Sequence, residues 1–518
     1  MKKIPFVLLI LDGWGIAPPN KGNAIELAKK PRFDLLWKKF PHTKLEAHGR
    51  HVGLIRHQVG NSEAGHMNIG AGRIVEQDAT IISEDIQNGK FFKNVALHQV
   101  FSHCMDNNSD LHLLGMISDG ESPHSSLDHL YALVDMATAH GQKNIYLHLI
   151  TDGRDSPQYA AERIIDQIVK RIDGKAMIAS LIGRFFAMDR GKNWSRTKKA
   201  YDCLTVGNGK CFNNYRDAIV HAYNQGITDE FLEPSIVCEE KKHRKLSRVK
   251  DNDGLIFFNL RSDRARQLTK CFVQKDFNAL NPKSFKRRKV LENFQFCAFT
   301  DFGPDLDHTL TAFPSADIRH TLPMILKDKK QVYIAETEKY AHMTYFINGG
   351  YDQPVNGEER IRIPSLKIKS YDLQPEMSVY KITAKVEKLI KTGKYDFIAV
   401  NFANPDMVGH TGNLAAVVKA IEHVDICLGK LASLVLKKKG TLIVTADHGN
   451  AEREIDLAND EVWTGHTVNP VPFILVSDKF HNLSLHGGDL ASIAPTIYDL
   501  MDVKKHDHLA PTLINHTN

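Results

Sequence analysis

The chain has 518 residues, more than one hydrophobic core usually fills, so two domains of about 200 to 300 residues each are expected. Its hydrophobic content of 42% and charged content of 25% are ordinary for a globular protein. The net charge of +6, from 67 basic and 61 acidic residues, is small for this length and argues against a dedicated nucleic-acid-binding protein.

The cysteines and the N-terminal segment indicate the compartment in which the protein works. Seven cysteines are scattered along the chain without the spacing of a zinc or redox motif, so a reducing compartment is expected. The start "MKKIPFVLLILDGWG" is similar to a signal peptide, but its apolar run is short, ends at Asp12 and is followed by no small-residue cleavage site. No other segment approaches the roughly 20 apolar residues that span a bilayer. A cytoplasmic protein with no membrane partner is therefore predicted.

Short runs rich in Val, Ile, Leu and Phe recur along the chain and end abruptly in polar residues. Such continuous apolar runs are typical of strands buried on both faces of a sheet, with helices between them. In chain order they are "IPFVLLILDGWG", "LHLLGMISDG", "NIYLHLITDGRD", "AMIASLIGR", "GLIFFNLRSDRAR", "QVYIAETEKYAH", "DFIAVNFANPDMVGH" and "TLIVTADHGNAE". The segment "QYAAERIIDQIVKRI" has the spacing of an amphipathic helix. An α/β fold is predicted, with ligands at the carboxyl ends of the strands.

The residues at these strand ends fall into two chemical groups. Ends near the two termini of the chain carry carboxylates and imidazoles, whereas ends in the middle carry guanidinium groups. The first group suits cations and the second suits anions. We therefore expect residues 1–78 and 312–518 to form one discontinuous metal-binding domain, with residues 79–311 inserted into it as a second α/β domain that binds the anion.

The segment "GNSEAGH", Gly60 to His66, leaves the role of Ser62 open. The serine lies between an amide and a carboxylate, and could be a nucleophile or a phosphorylation site with no part in the chemistry. It could equally be a helix N-cap with acidic support in the first turn. Local sequence does not choose among these roles, so the residues that the fold places around the hydroxyl must decide.

A set of oxygen and nitrogen donors near the termini predicts a metal centre. Asp406 and His410 are four residues apart and share a face if a helical turn follows the strand. Adjacent Asp447 and His448 end another strand, and "TGHT" adds His466. Together with Asp12 these residues offer no thiolate, and such a set suits manganese, magnesium or zinc.

Ser62 can complete this donor set. Two divalent ions carry four positive charges, whereas the carboxylates of Asp12, Asp406 and Asp447 contribute only three negative charges. An ionised serine would supply the fourth, and a metal-bound hydroxyl loses its proton far more readily than a free one. Two ions about 3.5–4 Å apart would also clamp the oxygens of a transferring phosphoryl group. The charge balance therefore favours Ser62 as a nucleophile.

The middle of the chain predicts an anion site. Guanidinium groups bind phosphate or carboxylate through paired hydrogen bonds, and a small substrate carrying both would fit several of them. The candidates at strand ends are Arg154, Arg184, Arg190, Arg261 and Arg264, accompanied by Asp155. Lys339 in "AETEKYAH" could neutralise a transferring phosphoryl group, although it could also be a surface lysine beside Glu336 and Glu338.

Several of these segments together resemble one known family. The blocks "LDGWG", "GNSEAGHMNIGAGR", "DGRD", "GRFFAMDR", "RSDRARQ", "AETEKYAH", "NFANPDMVGHTG" and "TADHGNAE" resemble the signature blocks of the cofactor-independent phosphoglycerate mutases, in the same order over essentially the whole chain. The resemblance implies an alkaline-phosphatase-like α/β domain that bears two divalent metal ions, which we expect to be manganese. It also implies a second, inserted α/β domain for substrate binding and phosphotransfer.

The resemblance also assigns individual residues. It implies that one manganese is held by Asp406, His410 and His466, and the other by Asp12, Ser62, Asp447 and His448. Ser62 matches the serine that becomes phosphorylated, and Asp155 matches the proton-transfer group. The substrate-binding set implied by the resemblance is His124, Arg154, Asp155, Arg184, Arg190, Arg261, Arg264 and Lys339. Around His124 the chain departs from the family, because "DGESPHSS" has an extra residue and places Ser126 where the family has a second histidine.

The implied reaction is the interconversion of 2-phosphoglycerate and 3-phosphoglycerate in glycolysis and gluconeogenesis. It would pass through a phosphoserine and need no 2,3-bisphosphoglycerate, and the family resemblance favours a monomer. Two alternatives stay open. A phosphatase or a phosphopentomutase could use the same metal centre, and a non-catalytic protein could hold nucleic acid through the basic segments Lys241–Lys250 and Lys283–Lys289.

Overall fold

The computed structural model describes residues 3–119, 122–239, 244–245, 248–303, 305–306, 309–314 and 317–515. The chain divides into two compact units. We call Met1–Gln77 with Asp317–Asn518 the terminal unit, and Asp78–Ala316 the inserted unit.

The strands alternate with helices along most of the chain. They are β1 (Phe6–Leu11), β2 (His42–Glu46), β3 (Leu111–Ile117), β4 (Ile145–Thr151), β5 (Met177–Gly183), β6 (Lys210–Phe212), β7 (Ser235–Glu239), β8 (Arg244–Lys245), β9 (Gly254–Phe257), β10 (Gln295–Thr300), β11 (Leu310–Phe313), β12 (Gln331–Glu336), β13 (Glu359–Ile363), β14 (Phe397–Phe402), β15 (Thr441–Thr445), β16 (Ile455–Asp456), β17 (Glu461–Val462), β18 (Val471–Val476) and β19 (Gly488–Asp489).

The α-helices are α1 (Ala24–Leu27), α2 (Pro31–Lys39), α3 (Ser62–Ala71), α4 (Asp78–Gln87), α5 (Val95–Asp106), α6 (Leu127–Ala139), α7 (Ala161–Ile172), α8 (Arg184–Ala187), α9 (Trp194–Val206), α10 (Tyr215–Tyr223), α11 (Ser262–Val273), α12 (Phe277–Leu280), α13 (Leu322–Ile325), α14 (Val379–Thr392), α15 (Asn404–Gly409), α16 (Leu414–Lys437) and α17 (Ile493–Leu500). Short 3₁₀ turns cover Gly49–Val52, Phe91–Lys93, Asp229–Phe231, Thr337–Lys339, Tyr371–Leu373 and Leu490–Ser492, and a π-helical turn covers His342–Phe346.

The terminal unit is built on one mixed sheet with the order β13-β12-β14-β1-β15-β18-β2-β19. Strands β14, β1 and β15 are parallel neighbours at its centre, whereas β15–β18 and β18–β2 are antiparallel. Every residue of β1 is buried, because the apolar N-terminal run lies between two other strands and under helices. The prediction that this run is a buried strand is confirmed.

The inserted unit has a second sheet with the order β11-β10-β9-β3-β4-β5-β7-β6. Strands β10, β9, β3, β4 and β5 run parallel, and apolar clusters cover the sheet on two sides. Strand β11 pairs with β10, so the inserted unit continues past residue 311, where the sequence placed its end, and reaches Ala316. The amphipathic helix is confirmed as α7, which buries Ile164, Ile165 and Ile168.

All eight strand-forming runs named from the sequence are strands, and the two units have the α/β architecture that was predicted. The structure adds strands that the sequence did not indicate, including β2 and β18 of the terminal sheet. The basic segment Lys241–Lys250 lies partly outside the described residues, and within it the short strand β8 pairs with β7.

Candidate active site

Ser62 is the first residue of α3 and is not its N-cap. The capping residue is Asn61, whose side-chain oxygen accepts a hydrogen bond from the Ala64 amide at 2.9 Å. The N-cap interpretation of Ser62 is therefore wrong. The hydroxyl is buried and available for other contacts.

Neighbouring parallel strands bring three carboxylates to one edge of the terminal sheet. Asp12 directly follows β1, Asp447 lies two residues after the end of β15, and Asp406 lies in α15 just after β14. The Asp406 amide donates to the Asp12 carbonyl at 3.0 Å, which fixes these two segments side by side. Gly13 has a φ of +77°, and a Cβ there would lie 2.8 Å from Asp406 Cα, so only glycine allows this approach.

The Ser62 hydroxyl lies at the centre of this group. Its Oγ is 2.9 Å from His448 Nε2 and 3.3 Å from Asp12 Oδ1. The Lys339 ammonium donates to the same Oγ at 2.7 Å. Imidazole, carboxylate and ammonium groups therefore all face one buried hydroxyl.

Lys339 is a buried residue of this cluster and not a surface lysine. Its Nζ lies 2.6 Å from Asp12 Oδ1 and 2.6 Å from Asp406 Oδ2. Burial opposes the charged form, but the carboxylates of Asp12, Asp406 and Asp447 outweigh it and hold the pKa of Lys339 above its ordinary value. The ammonium group is thus fixed among three carboxylates.

Three histidines of the cluster share one orientation. The Nδ1 atoms of His410, His466 and His448 face the backbone carbonyls of Thr464, Gly60 and Gly449 at 2.8, 2.8 and 3.3 Å. A ring that donates its Nδ1 proton to a carbonyl keeps its Nε2 lone pair for a ligand, which is the usual arrangement of metal-binding histidines. The Nε2 atoms of His466 and His410 lie 3.1 and 3.3 Å from Asp406 Oδ1.

The electrostatics of the cluster favour a cation. Burial raises the pKa of Asp12 and of Asp406, but Lys339 and the neighbouring histidines lower both pKa values well below the ordinary range. Burial lowers the pKa of His448, yet Asp447 and the other carboxylates raise it to about 9. The carboxylates of this cluster therefore stabilise positive charge on Lys339 and His448, and bound metal ions would supply positive charge in the same place.

His66 and Asn401 belong to this cluster and were missed from the sequence. His66 Nδ1 lies 2.9 Å from the Ser62 carbonyl oxygen and 3.1 Å from Asp447 Oδ2. The Asn401 amide group donates to Asp12 Oδ2 at 2.7 Å and lies 3.2 Å from His66 Nε2. The two residues connect the carboxylates of Asp12 and Asp447. The position of His66 four residues after Ser62 was the signal available for it.

Glu452 of "HGNAE" also has a role that the sequence did not reveal. It is fully buried, and its carboxylate accepts hydrogen bonds from the amides of Gly15 and Asn450 at 3.1 and 2.9 Å. Its other oxygen accepts from Thr467 and from Asn469, the latter at 3.0 Å. One carboxylate therefore ties together the loops that carry Asp12, His448 and His466.

A second cluster lies at the carboxyl ends of β3, β4, β5 and β9 in the inserted unit. The Arg184 side chain is buried, and its Nη1 lies 2.7 Å from Asp155 Oδ2. The Ser122 hydroxyl donates to the same Asp155 oxygen at 3.1 Å, and the Leu260 amide donates to the His124 carbonyl at 2.8 Å. The residues predicted from separate motifs are thus brought to one edge of this sheet.

The cationic side chains of this cluster lower one another's pKa values. Burial lowers the pKa of Arg264, and Arg190, Arg184 and Arg154 lower it further. Burial likewise lowers the pKa of His124 to about 3, with added repulsion from Arg261 and Arg184. An edge on which guanidinium groups repel one another is suited to an anion.

The members of this cluster differ in how firmly they are held. Asp263 accepts a hydrogen bond from Arg190 at 2.6 Å and lies 3.8 Å from Arg261 Nε. The side chains of Arg154 and Arg190 are more than half exposed, at 56% and 57%, unlike that of Arg184. Ser126 is the N-cap residue of α6, whereas Gly120 and Glu121 of the altered segment lie outside the described residues.

A further group, Asp110, His112 and Asp253, has donor atoms close enough to hold a metal ion. Here, however, hydrogen-bond donors already occupy the carboxylates. Asp253 accepts from His112 at 3.0 Å and from the Asp110 and Lys250 amides, and Asp110 accepts from Lys250 Nζ at 2.8 Å. His112 continues to His148 at 2.9 Å and on to Ser180 at 2.8 Å. We interpret this group as a structural network across β3, β4 and β5.

Comparison with known proteins identifies the class of this molecule. A family model described as the Metalloenzyme superfamily matches residues 4–505, in agreement with the α/β fold and the donor set. The chain is 45% identical over 509 residues to the 2,3-bisphosphoglycerate-independent phosphoglycerate mutase of Clostridium botulinum (strain Langeland), with 98% of each chain covered. It is 44% identical over 505 residues to the Moorella thermoacetica protein of that name, covering 97% of this chain and 96% of the other. The chain belongs to the 2,3-bisphosphoglycerate-independent phosphoglycerate mutase family, and it is an enzyme.

A solved structure supports this placement. The structure of Leishmania mexicana phosphoglycerate mutase at low cobalt concentration is 28% identical to this chain and has a TM-score of 0.81. The match covers 99% of this chain and 98% of the other. Among the helices that the structure describes, none is long and apolar enough to cross a membrane.

Proposed function

We propose that the enzyme interconverts 2-phosphoglycerate and 3-phosphoglycerate, as a step of glycolysis and gluconeogenesis, through a phosphoserine at Ser62. Two divalent metal ions, manganese in our proposal, would be required, and 2,3-bisphosphoglycerate would not. The observation that carries the proposal is the buried Ser62 Oγ, which faces His448 Nε2, Asp12 Oδ1 and Lys339 Nζ within 3.3 Å. The family of the chain agrees with it.

The residues fit two metal ions. Asp406, His410 and His466 would hold one, and Asp12, Ser62, Asp447 and His448 the other. The fit rests on the three histidine Nε2 atoms, which face carboxylates while Nδ1 faces a carbonyl. Oxygen and nitrogen donors without thiolate suit manganese. When bound, the ions would supply positive charge that favours an ionised hydroxyl and stabilises charge on the phosphoryl oxygens.

The residues of the terminal unit would carry the phosphoryl transfer. Ser62 Oγ would attack the phosphorus, the bond from phosphorus to the glycerate oxygen would break, and the phosphoryl group would remain on Ser62. Lys339, which donates to Ser62 Oγ at 2.7 Å, would stabilise negative charge on that oxygen and on the phosphoryl group. The second half of the reaction would return the phosphoryl group to the other glycerate hydroxyl.

The residues of the inserted unit would bind the glycerate part of the substrate. Arg184, Arg190, Arg261, Arg264 and Arg154 would bind its carboxylate and orient it, with His124 beside them. Asp155, starting as the ionised carboxylate, would relay one proton between the two glycerate oxygens: it would take the proton from the hydroxyl that is to receive the phosphoryl group and pass it to the oxygen that has lost the phosphoryl group. Arg184 lies 2.7 Å from Asp155 Oδ2, and although burial raises the pKa of Asp155, this contact lowers it overall, which keeps the carboxylate ionised.

A metal add-back assay tests the proposal. The enzyme would be stripped with a chelator, manganese would be restored, and 3-phosphoglycerate would be supplied without bisphosphoglycerate while 2-phosphoglycerate, free phosphate and glycerate are followed. Isomerisation that depends on the metal and not on the bisphosphate is expected. Release of phosphate without isomerisation would show a phosphatase with the same centre, and no turnover with any divalent metal would reject the proposal. A cytoplasmic location and a monomeric state stay predictions.

A further inference from the structure

Asp152, the first residue of "DGRD", lies directly after β4 and is fully buried. Its Oδ1 accepts hydrogen bonds from the Arg154 amide at 3.3 Å, from the Asp155 amide at 3.1 Å and from Arg184 Nη1 at 2.5 Å. Its Oδ2 accepts from the Ser118 hydroxyl at 3.0 Å. A buried carboxylate with this many donors is fixed in both position and orientation.

Two of these contacts fix the backbone on which Asp155 stands. A carboxylate that accepts the amides two and three residues ahead closes a tight turn. Gly153 within the turn has a φ of +65°, and a Cβ there would lie 2.6 Å from the Glu230 amide nitrogen. The turn is therefore packed against the 3₁₀ turn Asp229–Phe231 and has little freedom to shift Asp155.

The third contact fixes the guanidinium that pairs with Asp155. Arg184 Nη1 lies between Asp152 Oδ1 at 2.5 Å and Asp155 Oδ2 at 2.7 Å. Asp152 and Arg184 are buried, whereas the Asp155 side chain is 28% exposed. Asp152 thus holds Arg184 from the protein interior, and Asp155 presents its carboxylate toward the open side.

We propose that Asp152 is a positioning residue for the Asp155–Arg184 pair, and that Ser118 acts through Asp152 by orienting its carboxylate. The inference rests on the proposed function, in which Asp155 transfers the hydroxyl proton of glycerate. Asp152 itself would not touch substrate. It would set the distance and direction of the proton-transfer carboxylate through the turn and through Arg184.

The decisive variant is Asp152→Asn, which keeps the volume and removes the charge. We expect kcat for isomerisation to fall about 100-fold, because a displaced proton-transfer group loses most of its effect. KM should not rise, because Arg184 loses one of its two carboxylate partners and attracts an anionic substrate at least as strongly. This split between kcat and KM is not expected from a loss of packing alone.

Asp425→Asn is the matched control. Asp425 is also fully buried and accepts two backbone amides, those of Arg32 and Phe33, but it is in the terminal unit and contacts none of the proposed site residues. We expect this variant to lower the thermal midpoint while leaving kcat and KM unchanged. If Asp152→Asn likewise lowers only the thermal midpoint, the positioning role is rejected.

Ser118→Ala provides a second test if Asp152→Asn does not fold. Loss of the single hydroxyl donor to Asp152 Oδ2 should lower kcat about fivefold with unchanged KM. Unchanged kcat in a folded Ser118→Ala enzyme, or a raised KM with normal kcat in either variant, would overturn the inference. Wild-type enzyme assayed in parallel separates the two proposals: absence of wild-type turnover rejects the proposed function and this inference with it, whereas normal turnover of both variants rejects the inference alone.

Discussion

The Nε2 atoms of His410 and His466 lie 3.2 Å apart, and both face Asp406 Oδ1. Each ring has its Nδ1 at 2.8 Å from a backbone carbonyl, that of Thr464 or of Gly60, and this contact favours the tautomer with the proton on Nδ1 and a lone pair on Nε2. Two lone pairs at this distance repel each other, and a shared cation would turn that repulsion into attraction. The geometry of this pair therefore predicts a metal ligand role for both rings.

Replacement of His410 by alanine should remove one bound metal ion and leave the other, because Asp12, Asp447 and His448 are untouched. Metal content measured by mass spectrometry after dialysis against manganese checks this. His481→Ala is the control, since His481 is exposed and its Nδ1 also faces a carbonyl, that of Asp478, at 2.7 Å. Equal metal content in His410→Ala and wild type would contradict the ligand assignment.

Replacement of Ser62 by alanine should abolish isomerisation and leave metal binding at least partly intact. The variant removes the proposed nucleophile, whereas the carboxylate and imidazole donors remain. Turnover and phosphate attached to the protein, detected by intact mass after mixing with 3-phosphoglycerate, provide the readouts. Ser477→Ala removes another buried serine hydroxyl of the same unit, one that contacts Thr441, and should behave as wild type. Residual isomerisation by Ser62→Ala would remove the serine from the mechanism.

Replacement of Arg261 by lysine should lower kcat/KM about tenfold or more, because lysine keeps the charge but loses the paired donors of a guanidinium. Arg261 lies within 3.8 Å of Asp263 and acts on the pKa of His124, which places it inside the anion cluster. Steady-state kinetics would measure the loss. The control is Arg171→Lys, because Arg171 lies on α7 and pairs with Asp135 away from the cluster. Equal kinetics for the two variants would exclude Arg261 from the site.

Most of the central strands could be predicted, because parallel strands buried on both faces are continuous apolar runs. Strand β2 could not be predicted, because "HTKLE" contains charged and exposed residues and no continuous apolar run. It lies near the edge of the sheet, where its pairing with β18 holds it in place. β18 is itself an apolar run, "VPFILV", that ends in Ser477 and Asp478, so it has the same pattern as the predicted strands and could have been predicted with them.

The residues of the candidate site, like the strands, could be predicted only in part. Strand ends that converge were predicted because neighbouring parallel strands end at one edge. The supporting residues were not, because their role depends on contacts between distant segments: Asn401 lies within apolar β14, and its partners Asp12 and His66 are far away in sequence. The N-cap of α3 is a second example of an assignment that the sequence leaves open. Asn61 and Ser62 are both good N-cap residues, and only the backbone shows that the asparagine takes the role.

A buried histidine outside the proposed site gives a prediction for stability. His129 on α6 is fully buried beside Ser83, and burial lowers its pKa to about 4, against an ordinary value near 6.5 in the unfolded chain. Because the unfolded chain binds the proton more readily, this histidine's contribution to stability is present above about pH 6.5 and is lost as the pH falls toward 4, by up to about 3 kcal/mol. His129→Gln should therefore show a weaker loss of stability over that range.

Urea unfolding at pH 7 and at pH 5, followed by circular dichroism, measures this difference. The quantity compared is the drop in unfolding midpoint between the two pH values, so that any stability cost of the substitution at pH 7 cancels. His481→Gln, which changes an exposed histidine, should keep the wild-type drop. Other buried histidines such as His148, whose pKa burial also lowers, remain in every variant, so the difference between His129→Gln and wild type isolates His129. An equal drop in all three proteins would mean that His129 is not protonated on unfolding in this range.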